Sequence, residues 1–476
     1  MKSAAMTQSL IDSAVPKTAP PLDDAFRPAF LANREFQRAV AESGKGVPLV
    51  LGLERSETAL SRFETTVFPE GHPSASENLW YAERLLKFLL WARGAWRVHV
   101  GGSASIARHL QETYSPKGAR GFDFHFMGED VYRQTFTIVG CDASTVPAER
   151  SQEHSLGRHL RGCRIGFDLG ASDLKVSAVV DGQPVFSKEI EWQPRDHHDP
   201  RYHRHMILSA LHLAAAHLPR IDAIGGSSAG VYVDSQPRIA SLFRGIPKDR
   251  YGEVREMFVR MRGEFGVPLD VVNDGEVTAL AGSMSLEDDS ILGVALGSSE
   301  AAGYITPQGN ITDWLNELAF APIDYAPEAP ADEWSGDRGC GVQYFSQQCV
   351  FRLAPRVGIT IPSEITPAKK LELVQQKLDA GHEGARKIWE TMGVYMGYGI
   401  AHYAQFYSLK HVLILGRCTS GSGGQLILDG AKRVLKEAAP ELARRINIQL
   451  PDEKSRRVGQ SIAAASLPVI PEEALR

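Results

Sequence analysis

The sequence predicts an α/β protein of two similar lobes, with a further α/β region in front of them. The prediction depends on two stretches, beginning near residues 161 and 287, that each open with closely spaced strands and continue with alternating helices and strands. A third observation is a turn of small residues at Asp168–Lys175, which follows the first strand and suits a phosphate group. The predicted division is a disordered tail at 1–30, an N-terminal α/β domain of unknown role at 31–157, a first lobe at 161–286 and a second lobe at 287–476, whose last helix packs back on the first lobe.

The bulk composition limits the kind of protein this is. The chain has 476 residues, 43% of them hydrophobic and 23% charged, which is enough apolar material for several domains. With a net charge of −5, the chain lacks the basic excess that is typical of a nucleic-acid-binding domain. It contains no run of about 18 apolar residues, so no membrane helix is predicted. The five cysteines are scattered without a CxxC pair, which favours a reducing compartment. We therefore expect a cytoplasmic protein with neither a nucleic-acid nor a membrane partner.

The N-terminal region carries no catalytic motif. A strand is predicted at Pro48–Leu53, a helix at Asn78–Arg93 and a further strand at Gly121–Phe126. The turn Gly101–Ser103 precedes a helix and could hold an anion, or it could be an ordinary strand-to-helix turn. A helix-turn-helix around Ser105–Tyr114 is a weaker alternative, because the neighbouring segments are strand-like and not basic.

The first loop whose residues could bind a ligand follows a buried apolar strand that ends in Asp168. Gly170 permits a close approach of backbone N–H groups to phosphate oxygens, Ser172 adds a hydroxyl donor and Lys175 adds a mobile cation. Asp168 at the strand end is the candidate ligand for hydrated magnesium. The alternative is a β-hairpin with a polar turn.

A second hydrophobic strand delivers Asn273 and Asp274 to its end, immediately before a helix. A carboxylate in that place can accept a proton from a substrate hydroxyl, and Asn273 can hold a neighbouring hydroxyl. The alternative is that both residues only cap the helix.

Two further loops of small residues follow in the second lobe. The strand that begins near Gly293 runs into Gly297 and Ser298, where small side chains let the backbone approach an anion. The strand His411–Leu415 runs into a Gly/Ser-rich loop at Gly416, which suits a nucleotide base and ribose.

Taken in this order, the four segments resemble the ROK-family sugar kinases (repressor, open reading frame, kinase) of the actin-like ATPase, or hexokinase-like, superfamily. The resemblance covers about 161–469 and implies a two-lobed, ribonuclease-H-like α/β fold. Two more segments match it: Ile224–Asp234, which implies that Ser228 and Gly230 contact the sugar, and Asn316–Asp324, which implies that Glu317 contacts a sugar hydroxyl.

The resemblance implies an ATP-dependent phosphotransferase that acts on a sugar or polyol, with Asp274 as general base, Asn273 beside it, and ATP and Mg²⁺ as cofactors. The sequence also departs from the family pattern. Glu300 follows the loop at Gly297 and Ser298, which is the second predicted phosphate loop. Phe320 stands in place of a sugar-contacting His. The family's zinc-binding cysteines are missing, so no structural zinc is expected. A sugar-binding regulator and an actin-like ATPase therefore remain alternatives, and the N-terminal region could cap the cleft or mediate a homodimer.

Overall fold

The computed structural model describes residue 11 and residues 13–150, 157–451 and 453–471. Their contacts divide the chain into two compact units. Unit 1 comprises Met1–Gln152, Val294–Ala301 and Trp314–Leu450, and unit 2 comprises Glu153–Gly293, Ala302–Asp313 and Pro451–Arg476. The N-terminal region thus shares a unit with most of the predicted second lobe, which differs from the separate domain that the sequence predicts at 31–157.

The N-terminal part of unit 1 is a four-stranded sheet with helices around it. The strand order is β2–β1–β3–β4, in which β1 is antiparallel to β2 and β3, and β3 is parallel to β4. The elements are α1 (Ala29–Glu42), β1 (Val47–Ser56), β2 (Ala59–Val67), α2 (Glu77–Arg93), β3 (Arg97–Gly101), α3 (Ala104–Thr113), α4 (Gly121–His125) and β4 (Thr137–Cys141).

One expectation for this region is wrong, and the weaker alternative is excluded. Gly121–Phe126 is not a strand, because α4 continues into a π-helix at Phe126–Tyr132. The alternating phenylalanines suggest a strand, but Phe122 and Phe126 are four residues apart and both rings lie against Trp91, as one helical face allows. The helix at Ser105–Tyr114 is part of a crossover between parallel strands β3 and β4, and not of a helix-turn-helix.

The predicted disordered tail is also wrong from residue 13 onward. The Phe26 ring is only 1% exposed and contacts the rings of Tyr344, Tyr395 and Tyr398. The Leu22 N–H donates to Thr391 Oγ1 over 3.2 Å. The Pro- and Ala-rich composition predicts disorder, but one large aromatic side chain and paired backbone groups are enough to order this stretch. Positions 1–10 and 12 lie outside the described residues.

Unit 2 contains a five-stranded sheet of order β11–β8–β5–β6–β7. Strands β5, β8 and β11 are parallel, whereas β6 and β7 form an antiparallel hairpin with β5. The elements are β5 (Cys163–Leu169), β6 (Asp173–Val180), β7 (Gln183–Glu191), α5 (Pro200–Ala215), β8 (Ala223–Ser228), β9 (Val231–Val233), β10 (Gln236–Ile239), α6 (Tyr251–Arg255), α7 (Met257–Phe265), β11 (Leu269–Asn273) and α8 (Asp274–Leu286). Its core joins this sheet to α5 and α7 through apolar side chains such as Phe167, Leu211 and Phe258.

The remaining elements complete both units. They are β12 (Ile291–Leu296), β13 (Glu300–Ile305), α9 (Gln347–Leu353), α10 (Pro367–Asp379), α11 (Glu383–Tyr403), β14 (His411–Leu415), α12 (Gly423–Ala438), α13 (Pro440–Arg445), β15 (Asn447–Gln449) and α14 (Glu453–Ala465). The strands form a sheet of order β13–β12–β14–β15. Helices α11 and α12 cross closely at Gly393 and Gly430, where a side chain on either glycine would meet the other backbone.

The last helix, α14, packs on the sheet of unit 2 against β5 and β8. Gly166 and Gly225 make this possible, because a Cβ atom on either would overlap the α14 backbone at Ser461 or Ala464. Over the described part of the chain, no helix is both long and apolar enough to cross a membrane.

Candidate active-site residues

The carboxyl ends of three parallel strands in unit 2 lie in register. Asp168 is paired with Ser227 across β5 and β8, and Ser228 is paired with Asn273 across β8 and β11. Polar side chains from three separated segments therefore gather at one edge of the sheet, where ligands bind in open α/β sheets.

Asp168 is held at this edge by a hydrogen bond. Ser227 Oγ donates to Asp168 Oδ1 over 2.6 Å, and only 7% of Asp168 is exposed. Burial raises the pKa of Asp168 despite this hydrogen bond and the positive charge of Lys175. The sequence interpretation missed Ser227, although two consecutive serines at the end of a strand were a signal for it.

The first phosphate loop is a tight turn between β5 and β6. The Gly170 N–H donates to the Asp173 carbonyl over 2.9 Å, and Trp192 Nε1 donates to the Gly170 carbonyl over 2.9 Å. Ser172 is exposed and donates weakly to Asp173, while the Lys175 side chain is 40% exposed and lies 3.4 Å from the same carboxylate. The turn is thus fixed by its backbone, and it carries an exposed hydroxyl and a partly exposed cation.

Asn273 and Asp274 meet this edge where β11 passes into α8. Asn273 Oδ1 accepts from the Gly275 N–H over 2.7 Å, so Asn273 does cap the helix, and its Nδ2 donates to the Gly230 carbonyl over 2.8 Å. Asp274 is half-buried, and its Oδ1 accepts a 3.1 Å hydrogen bond from the same Gly275 N–H. Burial and the nearby Asp168 carboxylate raise the pKa of Asp274 to about 6, which suits a general base near neutral pH.

The two residues of the predicted sugar segment are engaged within unit 2. Ser228 is fully buried, and its Oγ accepts a 2.6 Å hydrogen bond from the Tyr232 hydroxyl. Gly230 has φ of 123° and no room for a Cβ beside Ile239 and Ala240. Gly230 thus contacts Asn273 through its carbonyl, and Ser228 contacts Tyr232, while the predicted sugar contact of both residues stays a prediction.

The second phosphate loop lies in unit 1. The Gly297 N–H donates to the Ser299 carbonyl over 3.0 Å, and the Gln347 N–H at the start of α9 donates to the Gly297 carbonyl over 2.9 Å. Ser298 and Ser299 are exposed. The loop therefore presents a serine-rich backbone turn, as the sequence predicts.

Glu300 points away from this exposed turn. It is 3% exposed, its Oε1 accepts a 3.0 Å hydrogen bond from the Tyr403 hydroxyl, and its Oε2 lies against Gly341 without a hydrogen-bond partner among the described residues. Burial, with a smaller contribution from the Glu317 carboxylate, raises the pKa of Glu300 to about 8. Burial thus favours the uncharged form of Glu300, and its side chain does not join the exposed turn of Ser298 and Ser299.

Gly416 begins the loop after β14 with φ of 96°. A Cβ there would come within 2.5 Å of the Leu296 carbonyl, so only glycine allows this loop to lie beside the end of β12. Gly416 and Gly297 are thereby brought to neighbouring strand ends of the same unit.

The segment with Glu317 and Phe320 follows in unit 1. Glu317 lies close enough to Glu300 for their charges to interact. Phe320 is 8% exposed, and its ring lies 4.4 Å from that of Trp91, centroid to centroid. The sequence interpretation missed Trp91 because it treated the N-terminal region as a separate domain.

Solved structures of ROK-family proteins share this fold. A ROK family transcriptional regulator, a homologue of the E. coli MLC protein, matches with a TM-score of 0.51 at 17% identity, over 67% of this chain and 79% of its own. The ROK hexokinase from Thermus thermophilus matches with a TM-score of 0.50 at 15% identity, over 64% and 97%. The ROK family glucokinase from Streptomyces griseus, in complex with glucose and AMPPNP, has a TM-score of 0.48 at 17% identity, over 64% and 98%.

The first two matches confirm the predicted fold, which is that of the ROK family and the actin-like ATPases. At these identities they show the fold and not the activity. No protein-family model matches the chain, and neither does any curated protein sequence.

Proposed function

We propose that this protein is an ATP-dependent kinase that transfers the γ-phosphoryl group of ATP to a hydroxyl group of a sugar or polyol. The observation that carries the proposal is Asp274, a half-buried carboxylate beside Asp168 whose pKa of about 6 matches a general base. The exposed serine- and glycine-containing turns of both units support it, since phosphoryl transfer needs positioned donors more than covalent chemistry.

In the proposed reaction Asp274 accepts the proton of the acceptor hydroxyl as that oxygen attacks the γ-phosphorus. A new O–P bond forms, the bond to the β-phosphate oxygen breaks, and ADP leaves with the electron pair. Asn273, fixed by Gly230, would orient a neighbouring hydroxyl. Ser172, Lys175 and Ser298 would hold the phosphates, Gly297 and Gly416 would allow the nucleotide to approach the backbone, and Glu317 would bind an acceptor hydroxyl.

The residues present fit a magnesium ion. Asp168 offers a carboxylate with one oxygen bound by Ser227, and magnesium in nucleotide sites usually takes one or two carboxylates together with water and phosphate oxygens. When bound, the ion would neutralise the charge of the phosphates.

All five cysteines are free thiols, in keeping with action in the cytoplasm.

A second candidate function is sugar sensing without turnover. The observation that favours it is Phe320, which is buried against Trp91 and so cannot replace a polar sugar contact. The similarity in fold to a transcriptional regulator is compatible with it.

The test measures ADP release with ATP and Mg²⁺ over a panel of sugars and polyols. The variants are Asp274→Asn and, as a matched control, Asp249→Asn, which changes an exposed carboxylate of the same unit. The proposal expects sugar-dependent turnover that falls at least 10³-fold in Asp274→Asn alone. Sugar binding without turnover in the unchanged protein would support the sensor, and sugar-independent ADP release would support an ATPase.

A further inference from the structure

The segment that carries Glu317 is attached at its start to helix α2 of the N-terminal region. The Asn316 N–H donates to the Ala92 carbonyl and the Glu317 N–H donates to the Trp91 carbonyl, each over 2.9 Å. These carbonyls belong to the last turn of α2, where they have no partner within the helix. The backbone that leads into Glu317 is thus held by the end of α2.

The same segment is attached at its other end to residues 27–29. The Ala29 N–H donates to the Ile323 carbonyl, and the Tyr325 N–H donates to the Arg27 carbonyl, each over 2.9 Å. The Arg27 N–H donates to Asp324 Oδ1, also over 2.9 Å. Both ends of residues 316–325, and not only one, therefore depend on the N-terminal region.

Between these ends, Phe320 belongs to an aromatic cluster. The cluster consists of Phe320, Trp334 and three side chains of the N-terminal region, namely Trp91, Phe122 and Phe126. Aromatic groups of this size contribute much of the energy of a buried contact. The N-terminal region therefore also sets where Phe320 lies.

A buried ion cluster fixes Trp91 in turn. Lys87 of α2 is fully buried and donates to both oxygens of Asp123, over 2.7 and 2.9 Å, and also to Asp337. Asp123 Oδ1 accepts a 3.0 Å hydrogen bond from Trp91 Nε1. Arg120 adds a second cation, bound to Asp337 and, over 2.6 Å, to Glu83.

The contacts form a continuous series. Lys87 holds Asp123, Asp123 holds the Trp91 ring, and Trp91 holds the backbone of Glu317 and the ring of Phe320. Removal of Lys87 alone would take a positive charge away from the buried carboxylates of Asp123 and Asp337. A buried charge without its partner is strongly destabilising.

We propose that the N-terminal region is a built-in part of the acceptor-binding apparatus, in which Lys87 acts as a positioning residue for residues 316–325. The proposal rests on the proposed function, since it takes Glu317 as the acceptor contact. It gives the N-terminal region a role in acceptor affinity and leaves nucleotide binding unaffected.

The test combines steady-state kinetics with hydrogen exchange of the full chain. Lys87→Met removes the buried cation, and Lys87→Met/Asp337→Asn restores the charge balance. Trp91→Phe removes the hydrogen bond to Asp123 together with part of the ring surface that contacts Phe320. Lys45→Met, an exposed lysine of the same region, is the matched control. We expect Lys87→Met to speed amide exchange at 316–325 and to raise the KM of the acceptor at least tenfold, while the KM of ATP changes less than twofold. In the double variant, the exchange rates and the acceptor KM should return partly to their original values. Trp91→Phe should show the same pattern to a smaller degree.

Equal rises in both KM values, or unchanged exchange at 316–325 in the Lys87 and Trp91 variants, would overturn the proposal. If Lys87→Met does not fold, Trp91→Phe decides the question, because it keeps an aromatic side chain at position 91 and every charge of the ion cluster. Failure of the proposed function would appear differently, as the absence of sugar-dependent turnover in the unchanged protein. The exchange data would then still decide whether Lys87 positions residues 316–325.

Discussion

At the scale of single residues, Asp168 and Asp274 show how two carboxylates in one place can take different roles. Asp168 accepts a 2.6 Å hydrogen bond from the Ser227 hydroxyl, whereas Asp274 accepts a longer, 3.1 Å hydrogen bond from the Gly275 backbone. Burial and the Asp168 charge both favour the protonated form of Asp274. The residue with less stabilisation of its charge is therefore the better base.

The acid side of the pH profile should report Asp274. A general base acts only when ionised, so kcat/KM should be half-maximal near pH 6, become constant above about pH 7 and fall about tenfold per pH unit well below pH 6. In Asp168→Asn the neighbouring charge is gone, and whatever activity remains should show its acid limb at lower pH. A series of kcat/KM measurements between pH 4.5 and 8 tests this. A kcat/KM that shows no acid limb near pH 6 in the unchanged protein would contradict the assignment of that limb to Asp274.

Glu300 is a second residue whose environment differs from what its position in the sequence suggests. Its sequence position suggests a charge near the triphosphate, but its side chain is buried with one oxygen bound by Tyr403 and the other without a partner. Nothing in the local sequence distinguishes an inward from an outward glutamate at this turn, since the direction depends on Tyr403 and Gly341, more than 40 residues away.

Glu300 should make the stability of unit 1 depend on pH. Its pKa is about 8 in the folded state, above the ordinary 4.5, so its contribution to the free energy of unfolding is complete below pH 4.5 and is lost as the pH rises to about 8. Each pKa unit corresponds to roughly 1.4 kcal/mol. Glu300→Gln stays neutral and should raise the unfolding midpoint at pH 8 relative to the unchanged protein, with little difference at pH 5. Thermal unfolding at both pH values measures this, and the exposed Glu333→Gln should show no such difference.

At the scale of elements, glycines decide which surfaces of unit 2 can meet. Helix α14 lies on β5 and β8 only because Gly166 and Gly225 bring no side chain into the contact. The groups that a Cβ would meet are backbone atoms of α14, which cannot move aside as a flexible side chain can.

Gly225→Ala should therefore destabilise unit 2 by about 3 kcal/mol, because a methyl group has to be forced between a strand and a helix. Gly252 in α6 is exposed, with nothing within 4 Å of its added Cβ. Gly252→Ala should be neutral or stabilising by up to about 1 kcal/mol, as expected for alanine in a helix. Chemical denaturation of the two variants measures the difference, and equal stabilities would rule out close α14 packing.

The elements also show what could be predicted from the sequence. The strand at His411–Leu415 is observed with the predicted bounds, and a tight turn joins β5 to β6 within Asp168–Lys175, where the sequence predicts one. Both depend on short-range patterns. The strand predicted at Gly121–Phe126 is wrong because its alternating phenylalanines find a partner, Trp91, that only the tertiary fold provides. Likewise, Ser228 accepts a hydrogen bond from Tyr232 and Gly230 accepts one from Asn273, and neither contact has a local signal in the sequence.

At the scale of the whole molecule, the division into units differs most from the sequence prediction. The N-terminal region has a sheet of its own, which suggests an independent domain, but its helices and residues 27–29 are paired with residues 316–325. Such pairings join positions more than 220 residues apart and leave no local pattern in the sequence.

The fragment 157–476 should consequently fail to fold on its own. It would lose the partners of residues 316–325 and of the ring cluster formed by Tyr344, Tyr395 and Tyr398. We expect an aggregated or partly unfolded product, and a soluble complex when fragment 1–156 is co-expressed. Size-exclusion chromatography with near-ultraviolet circular dichroism distinguishes these results. A soluble, cooperatively unfolding fragment 157–476 would show that the N-terminal region is dispensable for the fold.

The burial of Phe26 has a consequence for synthesis on the ribosome. Its partners on α11 lie about 370 residues further along the chain. At the usual 5–20 residues per second, roughly 20–70 s pass between the emergence of Phe26 and that of α11. During that interval the earliest-made part of unit 1 must remain soluble with its aromatic surface uncovered, which makes the nascent chain a natural client for chaperones that bind exposed apolar segments.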